Sequence, residues 1–174
     1  DTDCFMDIEV SYDGTAMAVQ TTEITRKHGD ITVHIDQQKL TKWAFYEELI
    51  WTPENPRLFD VKFSLRKGNK VTDKVESYFG MRKASVEDGE FMLNNRTYYQ
   101  KLLLDQGYWE ESLLTAPTDE AFVEDIRLAK EMGFNGVRKH QKIEDPRFLY
   151  YADKMGFLVW GEIAASYVYS KRSV

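Results

Sequence analysis

The chain has 174 residues, 43% hydrophobic and 30% charged, a balance that suits one ordinary domain or two small ones and excludes wholesale disorder. Its 29 acidic and 23 basic residues give a net charge of −6, which argues against a nucleic-acid partner, because phosphate binders carry a basic stripe. No apolar run approaches the ~18–20 residues that span a bilayer. With Cys4 the single cysteine, neither an internal disulfide nor a multi-cysteine metal centre can form. The sequence therefore predicts no membrane, metal or cofactor partner. The start at Asp1-Thr2-Asp3, without initiator methionine or signal peptide, reads as an excised piece.

In chain order, the first ~85 residues carry the period of strands. Phe5-Met6-Asp7-Ile8-Glu9-Val10 alternates apolar and polar, and Asp13-Gly14 offers a hairpin turn into Ala16-Met17-Ala18-Val19. Ile31-Thr32-Val33-His34-Ile35 repeats the alternation after Gly29-Asp30. Val61-Lys62-Phe63-Ser64-Leu65 does so again, and Lys67-Gly68-Asn69 turns the chain into a strand over 71–78. Short strands with no helical pattern between them predict an antiparallel sandwich. His28 and His34 have no ligand-spaced partner and read as structural.

From about residue 115 the period becomes helical. Thr118 can cap a helix over 119–132, with Phe122, Ile126, Ala129 and Met132 on its buried face and Gly133 as its stop. A short strand follows over 134–137. Asp145 can cap a second helix with Pro146 in its first turn, Phe148, Tyr151, Ala152 and Met155 on one face, and Gly156 ending it. Phe157-Leu158-Val159-Trp160 reads as a strand buried on both faces. Met132-Gly133-Phe134 and Met155-Gly156-Phe157 repeat one helix-to-strand joint, and helices alternating with strands imply parallel crossover units.

Ligands of parallel α/β folds sit beyond the carboxyl ends of the strands. That rule selects Arg138, Lys139 and His140 after one strand, and Gly161 and Glu162 after the next. Such a set could hold a polyhydroxyl ligand or steady a carboxylate, and could equally form a solvated loop. There is no Gly-rich phosphate loop, paired-histidine zinc motif or nucleophile elbow. Asn95-Arg96-Thr97 matches the glycosylation acceptor pattern, which carries meaning only in a secretory context.

The segments 50–60, 77–83, 91–95, 135–140 and 152–162, in this order along the chain, resemble glycoside hydrolase family 2, the β-galactosidase, β-glucuronidase and β-mannosidase group. Ile50-Trp51-Thr52-Pro53-Glu54-Asn55-Pro56-Arg57-Leu58-Phe59-Asp60 is similar to that family's LW-S/T-P-E-x-P-x-L-Y segment, and Ser77-Tyr78-Phe79-Gly80-Met81-Arg82-Lys83 to the strand closing its immunoglobulin-like domain. Phe91-Met92-Leu93-Asn94-Asn95 resembles the hairpin leading into its (β/α)8 barrel. The stretches 135–140 and 152–162 resemble the next two barrel strands and the helix between them. Residues 1–49 resemble the family only in strand character.

The resemblance implies an α+β multidomain chain, with an immunoglobulin-like β-sandwich over 1–88 and an incomplete (β/α)8 TIM barrel over 89–174. It implies a parent enzyme that cleaves β-linked sugars, β-galactosidase-like, with retention, through two carboxyls ~5–5.5 Å apart. The family's acid/base is the Glu of an Asn-Glu pair on a later barrel strand, and no such pair follows Trp160. A full barrel takes ~250 residues. The chain itself is therefore expected to hold no catalytic residue. By resemblance Arg138, His140 and Glu162 line the substrate site, with a carbohydrate as partner, although Lys139-His140-Gln141-Lys142 departs from the Ser-His-Tyr-Pro of the β-galactosidase branch. The other reading is a non-catalytic carbohydrate-binding or scaffold module. Without a neighbour for the strand 157–160, the truncated barrel is expected to self-associate or to be loosely ordered. Light scattering over a concentration series would reveal association, whereas a strict monomer with 119–162 as protected from hydrogen exchange as the early strands would contradict it.

Overall fold

The computed structural model describes residues 3–25, 28–35 and 49–165. The chain divides into two compact units. The first contains the residues up to Ile50 together with Arg57–Met81, and the second contains Trp51–Pro56 and everything from Arg82 onward. The contacts group 82–88 and the Trp51–Pro56 stretch with the second unit.

The described part of the first unit is an antiparallel sheet of β1 (Cys4–Tyr12), β2 (Thr15–Glu23), β3 (Phe59–Lys67) and β4 (Lys70–Phe79), in the order β2-β1-β3-β4. Register follows the alternation, with Ile8 opposite Phe63 and Val10 opposite Val61. Ile8, Val10, Met17, Leu49, Phe59 and Val61 form the buried core. Phe59 is wholly buried, stacked on Phe79 at 5.0 Å and tilted against Tyr12 at 5.1 Å. Across the polar face Arg66 donates to Asp7 at 2.7 Å, and with Thr21 it holds that carboxyl below its ordinary value. Over 31–35, where a strand is expected, no ladder pairing occurs among the described residues. Val33 and Ile35 pack against the core.

In the second unit β5 (Ala84–Glu87), β6 (Glu90–Leu93) and β7 (Arg96–Thr97) form an antiparallel sheet turned at Asn94-Asn95, as the hairpin resemblance implies. The chain then builds a parallel sheet from β8 (Leu102–Asp105), β9 (Gly136–Lys139) and β10 (Leu158–Trp160), in the order β10-β9-β8, crossed by α1 (Asp119–Glu131) and α2 (Pro146–Met155). Phe122, Ile126 and Ala129 of α1 meet Phe148 and Ala152 of α2 over Val137 and Phe157. Leu102, Leu104, Gly136, Arg138, Leu158 and Trp160 share register on the face away from that core. No full barrel is present among the described residues.

Two burial expectations fail. Met132 is 66% exposed because it is the C-cap of α1 and steps off the buried face. Trp160 is 54% exposed, since helices cover only the opposite face of its sheet. The strand expected at 134–137 begins at Gly136, and the Asn135 side chain braces its start: its Oδ1 accepts from the Lys101 amide at 2.7 Å and its Nδ2 donates to the Tyr99 carbonyl at 2.8 Å.

Both expected N-caps form, with Thr118 accepting from the Ala121 amide and Asp145 from the Arg147 amide. The Arg147 side chain, together with that amide, holds the Asp145 carboxyl down to about 2. Replacing this cap by alanine, Asp145→Ala, is expected to cost about 1 kcal/mol at neutral pH. Because the folded value lies below the unfolded one, the contribution is complete above about pH 4 and disappears as pH falls through about 2. Urea unfolding of both proteins should therefore show a gap at pH 7 that closes between about pH 4 and 2.

Candidate functional site

The carboxyl ends of β8, β9 and β10 present side chains in two directions, as the period of two in a strand requires. Arg138 points to the open face. Its Nε donates to Glu162 Oε1, and the Gln141 backbone amide donates to Glu162 Oε2 at 2.9 Å. Glu162 is thus bracketed from both sides, its side chain 19% exposed beside a half-exposed guanidinium. The Gln141 amide first, and the Arg138 guanidinium second, hold its carboxyl below the usual glutamate range, and the charge of His140 acts in the same sense. Arg138, Glu162, Trp160, Leu102 and Leu104 line an open cleft of about 580 Å³.

His140 joins this group less directly. Its Nδ1 is 2.9 Å from the Gln106 amide nitrogen, and its own backbone amide donates to the Asp105 carbonyl at 2.8 Å, which fixes the turn out of β9. Gln141 adopts a φ of 54°, in the left-handed region, and its backbone amide faces Glu162.

Lys139 does not share the face of its neighbours. It is 1% exposed, and its ammonium pairs with Asp105 and, at 2.9 Å, with Glu144. The Phe148 ring lies 3.9 Å from that ammonium. Lys142 completes the cluster, pairing with Glu144 at 3.2 Å and donating to the Leu114 and Gly107 carbonyls. Burial alone would push the Glu144 carboxyl up; Lys139, the Asp145 amide and Lys142 together bring it below its ordinary value. The sequence reading groups Lys139 with Arg138 and His140, and it overlooks Asp105 and Glu144. Alternation separates Lys139 from Arg138, and an aspartate closing the Leu102-Leu103-Leu104 run was the available signal for the first. Among the described residues no group of three His, Cys, Asp or Glu side chains could hold a metal ion.

The site combines a bracketed glutamate, an arginine, a nearby imidazole and an exposed indole. These groups can orient a polyhydroxyl ligand by hydrogen bonds and offer its apolar face a ring.

Residues 6–82 match Glycosyl hydrolases family 2. The chain is similar to a β-glucuronidase of Streptococcus agalactiae, 29% identical over 118 residues that make up 67% of this chain and 19% of that protein. It is also similar to a β-galactosidase of Leuconostoc mesenteroides, 26% identical over 164 residues, 88% of this chain and 15% of that one. The crystal structure of a β-glucuronidase from Parabacteroides merdae shares the fold, with a TM-score of 0.78 at 20% identity, over 94% of this chain and 20% of that one. The chain is related to glycosyl hydrolases family 2 and spans a fifth or less of the length of these relatives. The family match reaches back to residue 6, through strands in which the sequence reading finds only alternation.

Proposed function

We propose that this chain is the region of a retaining family 2 glycosidase that joins an immunoglobulin-like sandwich to the first strands of a (β/α)8 barrel, and that it forms one wall of the sugar site. Arg138, His140 and Glu162 are its substrate-binding residues. The observation that carries this reading is the bracket of Arg138 and the Gln141 amide around Glu162, at the carboxyl ends of parallel strands and beside the exposed Trp160. The substrate is a β-linked sugar; relatives named β-glucuronidase and β-galactosidase both support that class.

Two results test it. The isolated chain is expected not to hydrolyse nitrophenyl β-glycosides, because general acid/base and nucleophilic groups supply much of the rate and both lie outside it. Turnover by pure chain that Glu162→Gln abolishes would make Glu162 catalytic instead. In the longer enzyme, Arg138→Ala is expected to lower kcat/KM by about a hundredfold or more, since a fixed guanidinium at the reacting sugar loses its charge-assisted bonds. Its melting temperature should barely move, because a half-exposed ion pair contributes about 0–1 kcal/mol. Unchanged turnover with a large melting shift would reduce Arg138 to a structural ion pair.

A further inference from the structure

We propose that the buried Lys139 cluster is a positioning device for the sugar-site bracket: Lys139, Asp105 and Glu144 anchor the loop after β9 so that Gln141 presents its amide, and Arg138 its guanidinium, to Glu162. The inference rests on the reading of Arg138 and Glu162 as the sugar site, and it concerns residues on the opposite face of the sheet from them.

The geometry supports it at each end of the loop. The loop 140–145 leaves β9 directly after Lys139 and returns into α2 at Asp145, whose amide donates to Glu144 Oε1 at 2.9 Å. Glu144 is 5% exposed and receives both Lys139 and Lys142, so the far end of the loop is tied to β9 itself. Asp105 ties the near end to β8. Its Oδ2 accepts from Lys139, its Oδ1 accepts from the Gly107 amide at 2.6 Å, and its carbonyl accepts from the His140 amide. Lys142 reaches across to the Leu114 carbonyl at 2.8 Å, which joins the loop after β8 to the loop after β9.

Two ammonium groups and two carboxylates balance within this cluster, with Asp125 of α1 as a further acid within electrostatic reach of Lys139. A buried ion cluster is weak as a source of stability, because desolvation offsets most of the attraction. What it provides is direction, since each charge has only one arrangement that satisfies it. Here the arrangement it selects holds Gln141 in its left-handed conformation facing Glu162.

The test reads the titration midpoint of the Glu162 carboxyl by carbon-detected NMR on the full chain, with Glu162→Gln assigning the signal. Lys139→Met removes a positive charge and Glu144→Gln removes a negative one. A direct effect of charge would therefore move Glu162 in opposite directions, up for the first and down for the second. A positioning effect moves it up in both, because each variant releases the loop and takes the Gln141 amide from the carboxylate. We expect a rise of about half a pH unit or more in each. Opposite shifts, or no shift in either, would overturn the proposal. Should Lys139→Met fail to fold, the sign of the Glu144→Gln shift decides alone. The midpoints are read without sugar, so an Arg138→Ala enzyme with unaltered turnover would sink the sugar reading and leave this comparison intact.

Discussion

Trp51→Ala is expected to destabilise the second unit by about 3–5 kcal/mol, the range for removing a large buried aromatic side chain. The indole is 1% exposed, with the Arg82 guanidinium 4.6 Å from its ring and the Arg82 side chain paired to Asp153 at 2.9 Å. Its Nε1 donates to the Asp153 carbonyl at 2.7 Å. That bond matters because the last four carbonyls of a helix have no partner within it. In α2 the Ala152 carbonyl takes the Gly156 and Phe157 amides, Asp153 takes Trp51, and Met155 takes the Lys130 ammonium. Alanine would open a cavity and remove one of these donors together. Trp51→Phe keeps most of the bulk and should cost only about 1–2 kcal/mol, the share of the lost donor. Chemical unfolding followed by circular dichroism reads both. A loss below about 1 kcal/mol for alanine would mean that the 51–56 stretch is not part of the core it contacts here.

The helices were legible because their periods are long enough to be unambiguous. Thr118 and Asp145 sit where capping chemistry requires, and the face of Phe122, Ile126 and Ala129 is the buried one. The strand β8 was not legible. It is four residues long, three of them leucine, and an apolar run of that length has no period to separate strand from helix. At 31–35 the alternation was legible and two of its side chains, Val33 and Ile35, pack against the core.

The site was legible in part and for two different reasons. The strand-end rule and the resemblance each selected Arg138 and Glu162, and the structure hydrogen-bonds them across 24 positions of sequence. The second arm of the bracket is a backbone amide, which no residue type announces. It depends on the conformation of Gln141, and that depends on tertiary contacts of the loop. Trp51 poses the same difficulty at larger separation, since its acceptor lies 102 residues away and only the family pattern singled out the segment.

Gly156→Ala and Gly133→Ala separate the cost of a backbone conformation from the cost of a contact. Both glycines end helix regions in the left-handed conformation, with φ of 70° and 89°. Any side chain there costs about 1–2 kcal/mol. At Gly133 an added Cβ would meet nothing within 4 Å, so Gly133→Ala should cost that amount and no more. At Gly156 the Cβ would lie 2.2 Å from the Pro53 carbonyl oxygen and 2.9 Å from its carbon, both backbone atoms that cannot rotate aside. Relief requires the Trp51–Pro56 stretch or the end of α2 to shift, and forced overlap in a packed region adds about 1–3 kcal/mol. Gly156→Ala is therefore expected to cost about 2–5 kcal/mol, and to loosen Trp51, whose donor bond lies three residues from the same helix end. Unfolding curves of the two variants give the difference, and tryptophan fluorescence compared between Gly156→Ala and Gly156→Ala/Trp51→Phe isolates the Trp51 signal. Equal losses in the two glycine variants would show that the close approach of Pro53 to the end of α2 carries no energy.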